Sequence, residues 1–505
     1  MTIPLSVPLF APLAFGLLAA LLRHRLSPVL GLAGSLITLA YAVLMLFDFD
    51  HARDGLQYVT DDAWITTLGI RYSLGIDGLN LWLVALTAVL STASFLWIVV
   101  RPVDRGGQFA FLLGLAETAI LGAFIAQVLA LFVLFFDLML VPFLFLMLGW
   151  GGPERRPAAI KMMVYTLVGS LLMLAAAVAT AVLSAREGDG TLTFALSDLA
   201  QVSLGDGTQR LLFVGFALAF LIKMPAFLVQ GWMPDTYGQM PLPALALFSA
   251  VLSKVAAYGF LRIVLPLFPD ASVDFQLTIM ILSVVGIIYG SAMAFTQTQL
   301  RLVLGYSSLA QLSFITLGIF SLTDQGVQGA ILQSLTHGLV VAPLMFIIAL
   351  VAERADGRED IRELGGLATS GPVLATYALV VALATLAIPG SANFAGEFLI
   401  LLGAFNAKLV LAVIAFTGVA MASVYMLRAY IRTFNNRVGS KVTGTRDLTV
   451  RDGLVLGPLV AAVLAFSLYP QAALRDGEQA VQGKTPLLSK VDAAQGGATE
   501  RAEAP

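Results

Sequence analysis

Cysteine is absent from all 505 residues, which excludes disulfides, thiolate-held zinc and cysteine-ligated iron–sulfur clusters within the chain. Charge is scarce as well. Only 12% of the residues are Asp, Glu, Lys or Arg, about half the share of an ordinary soluble domain. The 29 Lys plus Arg and 31 Asp plus Glu nearly cancel, so no basic field is available to attract nucleic acid. The chain also lacks a dinucleotide-type Gly-rich fingerprint, a phosphate loop and a cluster of metal-ligand residues. Any redox centre that works with this chain is therefore expected in another subunit.

What is present in abundance is apolar sequence, at 59% of residues. Runs of 18 or more apolar residues recur from end to end, the length a helix needs to cross a hydrocarbon core of ~30 Å. The first run, Pro4 to Leu22, has no basic region ahead of it, and no small-residue cleavage site follows it, so it reads as a retained span. Apolar runs bounded by charged or Gly/Pro-rich breaks place spans at 4–22, 28–47, 78–99, 109–126, 128–149, 158–183, 211–230, 240–265, 275–295, 301–321, 325–351, 371–405, 408–432 and 451–469. The predicted fold class is thus all-α, a polytopic membrane protein of about fourteen helices. A thirteen-span alternative arises if Ala126-Gln127 does not split residues 109–149.

Loop charge favours fourteen. Alternate loops, starting from 23–27, hold sixteen Lys and Arg, and the opposite loops hold six. This places both termini on the non-cytoplasmic side. The tail beyond Pro470 is polar and weakly patterned, and disorder is expected for most of it.

Six ionisable residues fall inside the apolar runs: Glu117, Asp137, Lys223, Lys254, His337 and Glu397. A charge at mid-membrane costs at least about 2.5–3.5 kcal/mol, so it persists where it is paired or faces water. Acids, lysines and a histidine together form the mixture a proton relay uses. An acid paired with a lysine makes a switch, because a charge arriving at one member changes the proton affinity of the other. Arg428 is one turn from Arg432 and can snorkel to the surface.

Two spans also carry backbone breaks. Lys223-Met224-Pro225 and Met233-Pro234-Asp235 interrupt the seventh, and Ile388-Pro389-Gly390 with Gly396 interrupts the twelfth. Their separation by five spans gives the two helices opposite orientation, the pattern of an inverted repeat with its site at the unwound segments. The corresponding division is 1–108 for the first three spans, 109–265 and 275–432 for two inverted five-helix repeats, 451–469 for a last span and 470–505 for the tail. Between the charges run Ser249, Ser253, Tyr258, Tyr306, Ser307, Ser308, Gln311, Ser313, Gln333, Ser334 and Thr336, side chains that can hold proton-conducting water or pack helices.

The segments YSLGIDGLNLWLVALTA, LIKMPAFLVQGWMPDTYGQMP, VLSKVAAYGFLR, LGYSSLAQLSF, the LTHGL run with its following Arg-x-Ile-Arg-x-Leu-Gly-Gly loop, and IPGSANFAGEFLILLGAF resemble the antiporter-like chain M, or subunit 4, family of proton-pumping NADH:quinone oxidoreductase, respiratory complex I. The resemblance runs from the third span to the thirteenth. It implies a proton path with Asp137 and Lys223 as the input pair, Lys254 and His337 as the connection and Glu397 as the exit. Glu117, by its place inside an apolar run, is a further candidate. The resemblance also implies flavin, iron–sulfur clusters and quinone in partner subunits, none of them in this chain, and neighbouring antiporter-like subunits in a bacterial inner membrane. Three positions depart from the family pattern: Asp137 where glutamate is usual, Gln230-Gly231-Trp232 where His-Thr-Trp is usual, and Gln311 where histidine is frequent. Two further readings share these features: a subunit of a multisubunit cation/proton antiporter or membrane-bound hydrogenase, and a structural spacer of a membrane arm.

Overall fold

A computed structural model of the chain describes residues 4–22, 26–53, 55–188, 190–439, 442, 446–481 and 493. Arg23, Arg25, Lys441 and the tail beyond Val481, apart from Ala493, lie outside them. Helices α1 (Ser6–Leu22) and α2 (Ser27–Asp48) precede a hairpin of β1 (Gln57–Ile65) and β2 (Ile70–Ile76). Next come α3 (Leu81–Val100), α4 (Gly106–Ile125), α5 (Leu129–Leu138), α6 (Leu140–Trp150), α7 (Arg155–Glu187), the short α8 (Leu196–Leu199), α9 (Asp206–Lys223) and α10 (Met233–Gln239). One continuous helix spans Leu242–Leu267 and is made of α11 (Leu242–Leu247), α12 (Ser253–Gly259) and α13 (Leu265–Leu267), with π turns at Phe248–Leu252 and Phe260–Val264. The remainder is α14 (Pro269–Thr296), α15 (Leu300–Phe320), α16 (Asp324–Arg354), α17 (Leu367–Ser370), α18 (Pro372–Thr385), α19 (Phe394–Ala407), α20 (Leu409–Phe434), α21 (Val450–Leu468) and α22 (Gln471–Val481).

Eleven helices among the described residues are long and apolar enough to cross a membrane, and α1, α18 and α19 are shorter apolar helices. Large apolar side chains such as Phe47, Leu211 and Val410 point outward, where a bilayer would satisfy them and water would not. The chain is a multi-pass membrane protein, mostly helical.

Two expectations need correction. The class is not purely α, because residues 57–76 form an antiparallel hairpin with Asp61 opposite Ser73 and Ala63 opposite Arg71. Its turn uses Gly69 at φ 65°, and a Cβ there would meet the Leu192 carbonyl oxygen at 2.0 Å. The second correction concerns the tail, whose first eleven residues fold as α22. Asp476 of α22 is buried and accepts from Trp82 Nε1 at 2.8 Å while contacting His51 Nδ1 at 2.5 Å. The break at Ala126–Val128 is real. It is stitched to the hairpin by Gln127 N donating to the Ser73 carbonyl, and to the α7–α9 connection by Leu129 N donating to Phe194.

Helix α3 carries a fastening at each end. Trp82 at its start meets Asp476, and Arg101 at its end bridges Glu353 at 2.7 Å and Asp452 at 2.6 Å. Beside the second fastening, Arg354 donates to the carbonyls of Arg446 and Asp447. The Asp447 carboxylate in turn accepts from the backbone N–H groups of Val373 and Leu374 at the start of α18.

Candidate functional site

Helix α9 stops at Lys223 because the next residues cannot continue it. Pro225 lacks an N–H and pushes Met224 away from helical geometry, and Leu228 takes φ 81°. The chain then passes through a 3₁₀ turn at Gln230–Trp232, whose indole donates to the Ile222 carbonyl, before α10 begins. Lys223 is 2% exposed. Its ammonium donates to the Phe136 carbonyl at 3.3 Å and lies over the Phe136 ring at 4.4 Å from the centroid. Asp137, the next residue on α5, is half-buried. The polar groups that act on it are the Ser170 hydroxyl and the Lys223 ammonium. The two charged groups do not close to an ion pair within 4.0 Å, and Asp137 Oδ1 has no hydrogen-bond partner. Phe132, Phe136 and Phe220 pack ring against ring beside them. On the other side a small cavity is lined by Met139, Phe143, Lys223, Trp232, Phe248 and Leu252, so it reaches the helix that carries Lys254.

Lys254 is fully buried on α12, between the two π turns. Its ammonium is 3.0 Å from His337 Nδ1, 3.2 Å from the Ser249 carbonyl and 3.5 Å from Ser253 Oγ. The close approach behind this contact depends on Gly338 of α16, where a Cβ would meet the Ala250 carbonyl oxygen at 2.8 Å. His337 Nε2 has no partner.

Helix α18 ends at Thr385, and the chain crosses to α19 with Ala387 and Gly390 at positive φ. Glu397 lies in the first turn of α19, 2% exposed. Gln333 Nε2, on α16, donates to Gln311 Oε1 at 2.7 Å and approaches Glu397 Oε1 at 3.4 Å. Gln333 is one helical turn from His337. The structure therefore brings Lys254, His337 and Glu397 into one buried polar row, with Asp137 and Lys223 forming a separate group across the cavity.

The profile of the family described as NADH:quinone oxidoreductase/Mrp antiporter, TM, matches residues 126–422, which hold Asp137, Lys223, Lys254, His337 and Glu397. A NADH-quinone oxidoreductase subunit M from Rhodobacter capsulatus is 36% identical over 483 residues, covering 92% of this chain and 93% of its own. The chain belongs to the NADH:quinone oxidoreductase/Mrp antiporter family. A chain in respiratory complex I from Thermus thermophilus superposes with TM-score 0.88 at 30% identity, over 96% of this chain and all of that one. A chain of the Mrp complex from Dietzia superposes with TM-score 0.83 over 98% of this chain and 99% of its own. At 20% identity that match speaks to the fold alone.

Within this family fold Glu117 stands apart. It is fully buried among α2, α3 and α4, where it accepts from Ser35 Oγ at 3.1 Å, and Ser35 in turn contacts Thr92. Its Oε2 has no partner, and no hydrogen bond among the described residues joins it to the Lys254 row. Arg428 behaves as expected of a snorkelling residue, donating to the carbonyls of Phe295 and Gln297 at the end of α14. Gly396 does not interrupt a helix. It lies inside α19, where a Cβ would meet Gln333 Oε1 at 2.5 Å, so its role is close approach.

The hydroxyls divide in a way sequence could not foresee. Ser249, Ser313, Ser334 and Thr336 donate to carbonyls four residues back in their own helices, a local use that packing helices commonly show. Ser308 Oγ has no partner, and Ser307 contacts the Tyr425 hydroxyl at 2.9 Å. Sequence reasoning also missed the ladder at the far end of the Lys254 helix. There Arg262 donates to the Tyr258 hydroxyl at 3.0 Å and pairs with Asp77 of the GIDG segment. The available signal was the four-residue spacing of Lys254, Tyr258 and Arg262, which places all three near one helix face.

Proposed function

We propose that the chain is the proton-translocating membrane subunit of a complex I type NADH:quinone oxidoreductase, acting through buried side chains and water while partner subunits oxidise NADH and reduce quinone. The observation that carries this reading is the buried Lys254–His337 contact at 3.0 Å, with Gln333, one helical turn from His337, approaching the buried Glu397 carboxyl at 3.4 Å. Lysine and imidazole in direct contact can share a proton in either direction. A carboxyl group at the far end accepts that proton and passes it on. Protons enter from the cytoplasmic side at Asp137 and Lys223, reach Lys254 and His337, and leave by Glu397 to the non-cytoplasmic side.

The architecture behind this reading has fourteen spans in a bacterial inner membrane. The eleven long helices are joined by α1, by α9 with its α10 continuation, and by α18 with α19 as one broken span. The breaks after Lys223 and before Phe394 mark corresponding helices of two inverted repeats, 109–265 and 275–432. This chain contributes no redox site, and flavin, iron–sulfur clusters and quinone belong to the partner subunits. Neighbouring antiporter-like subunits are its lateral partners.

The test is Lys254→Met in the whole complex, reconstituted in vesicles. Assembly and the flavin and iron–sulfur spectra should be unchanged, while proton uptake per NADH oxidised falls. A wild-type ratio in the variant would remove this chain from proton transport and leave it a spacer. Copurification with cation/proton antiporter subunits and no flavin subunit would assign it instead to the antiporter branch of the family.

A further inference from the structure

The row from Lys254 to Glu397 contains a stretch with no titratable group. Between His337 and Glu397 stand two amides, Gln333 and Gln311, both buried, at 0% and 2% exposure. Amides neither take up nor release protons in this pH range, so their arrangement needs a different explanation from that of the charges they separate.

Three features of the arrangement point the same way. Gln333 uses Nε2 twice, donating to Gln311 Oε1 at 2.7 Å and facing Glu397 Oε1 at 3.4 Å. Gln311, which accepts from Gln333, also lies near the Glu397 carboxyl. Gln333 Oε1 is buried without a partner, as is His337 Nε2 one turn along the same helix. A buried acceptor and a buried ring nitrogen, both unpartnered and one turn apart on the same helix, each call for a partner such as an ordered water. Finally, the fold makes room for the amide deliberately. Gly396 passes Gln333 with no Cβ, and any Cβ would come within 2.5 Å of Oε1. Gly329, one turn before Gln333 on α16, lets α19 come close to that helix, since a Cβ there would come within 2.6 Å of Ile400 N.

We propose that Gln333, anchored by Gln311, is the positioning residue that joins the Lys254–His337 pair to Glu397: its Nε2 fixes the carboxyl, and its Oε1 holds a water toward His337 Nε2. The inference rests on the proton-translocation reading above. In the step it serves, an imidazolium at His337 gives its Nε2 proton to the water, and the water gives a proton to the Glu397 carboxylate. Imidazole, water and carboxylic acid remain, and Gln333 is unchanged. Leucine at 333 would keep most of the volume but remove both hydrogen-bonding ends.

The experiment uses the intact complex in vesicles, with variants Gln333→Leu, Gln311→Leu and Glu397→Gln. The carbonyl stretch of protonated Glu397 is identified in infrared redox difference spectra as the band that Glu397→Gln abolishes. Gln333→Leu should slow initial proton uptake about tenfold, equivalent to ~1.4 kcal/mol on the barrier, and move that band to higher wavenumber as the carboxyl loses its donor. Gln311→Leu should move the band in the same direction with a smaller loss of uptake, and this variant decides the matter if Gln333→Leu does not assemble. An unmoved band overturns the proposal whether or not uptake falls, because a packing defect would slow uptake without touching the carboxyl. If instead Glu397→Gln itself pumps like the wild type, the exit assignment fails and takes this inference with it. Loss of pumping in Glu397→Gln with both glutamine variants normal sinks the inference alone.

Discussion

Around Lys223 the neighbours are rings, and around Glu397 they are amides. The Lys223 ammonium lies over Phe136, with Phe132 and Phe220 packed alongside, and its acid, Asp137, stays beyond ion-pair distance. Glu397 touches Gln333, Gln333 touches Gln311, and one turn away His337 touches Lys254. The first region contains the charges but leaves them unconnected, whereas the second is wired by hydrogen bonds except at the single turn between His337 and Gln333. One water would complete the second region. The first requires movement or water to bring its charges together, and under the proposed path that makes the input side the place where transport can be controlled.

The strongest test of this contrast is to delete the input cation. Lys223→Ala should insert and assemble but lose most coupled proton uptake, measured as acidification of reconstituted vesicles against NADH oxidation. Uptake at the wild-type ratio would mean that the input side is not where control lies. Next, Asp137→Asn should lower uptake severalfold, whereas Asp137→Glu should be tolerated, because one more methylene shortens the gap to Lys223. If the glutamate variant pumps worse than the asparagine variant, distance is not what separates the two regions.

Two smaller effects probe the fastenings of the wired region. Asp476→Ala removes the acceptor of Trp82 Nε1 and the contact with His51 from α22, which packs against α16. Losing a buried partner of this kind costs about 1–3 kcal/mol. Hydrogen exchange should therefore rise in α22 and along α16, and not around α5. A rise shared equally by both regions would show that they are not independent.

The smallest effect is expected at Asp447, which caps the start of α18 from the loop before α21. Burial works to raise its carboxyl, but the N–H groups of Val373, Leu374 and Leu448, with Arg354, outweigh that and hold it below the usual carboxylate range. A lowered folded value means the cap contributes stability above the ordinary carboxylate pKa of about 3.9 and loses it as pH falls through the lower folded one. Asp447→Ala should cost about 1 kcal/mol at neutral pH, typical of a lost cap. The difference from wild type should vanish in strong acid. A gap between the two proteins that stays constant as pH drops would assign the loss to packing.

Much of this was legible in the sequence for a simple physical reason. A charge in an apolar run is expensive, so Asp137, Lys223, Lys254, His337 and Glu397 announced themselves one by one, and prolines announced the breaks beside two of them. What could not be read was contact. Gln311 stands out only as a position where the related family frequently has histidine, and Gln333 only as a polar residue in a span; their pairing is set by how α15, α16 and α19 pack, which no local pattern encodes. The separation of Asp137 from Lys223 is likewise a matter of where one backbone carbonyl and one ring happen to stand. Tyr58, Val59, Trp64 and Ile65 have strand character and Gly69 supplies the turn, but a short stretch between two apolar spans carries too little periodicity to set a hairpin apart from a loop. Helix α22 is hidden in a polar composition because its order comes from Asp476, whose partners lie 394 and 425 residues away.

The two helix breaks have an electrical consequence. Aligned peptide dipoles leave roughly half a positive charge at a helix N-terminus and half a negative charge at its C-terminus. Lys223 occupies the last turn of α9, and Glu397 the first turn of α19. By stopping one helix and starting another inside the bundle, the chain sets a fractional counter-charge of the right sign beside each ion, worth about 0.3–1 kcal/mol and up to ~2 when partly buried. An unbroken helix would keep those poles out at the membrane surfaces. The interruption thus gives Lys223 a partial anion even while Asp137 stands away, and gives Glu397 a partial cation where no lysine or arginine contact is seen among the described residues.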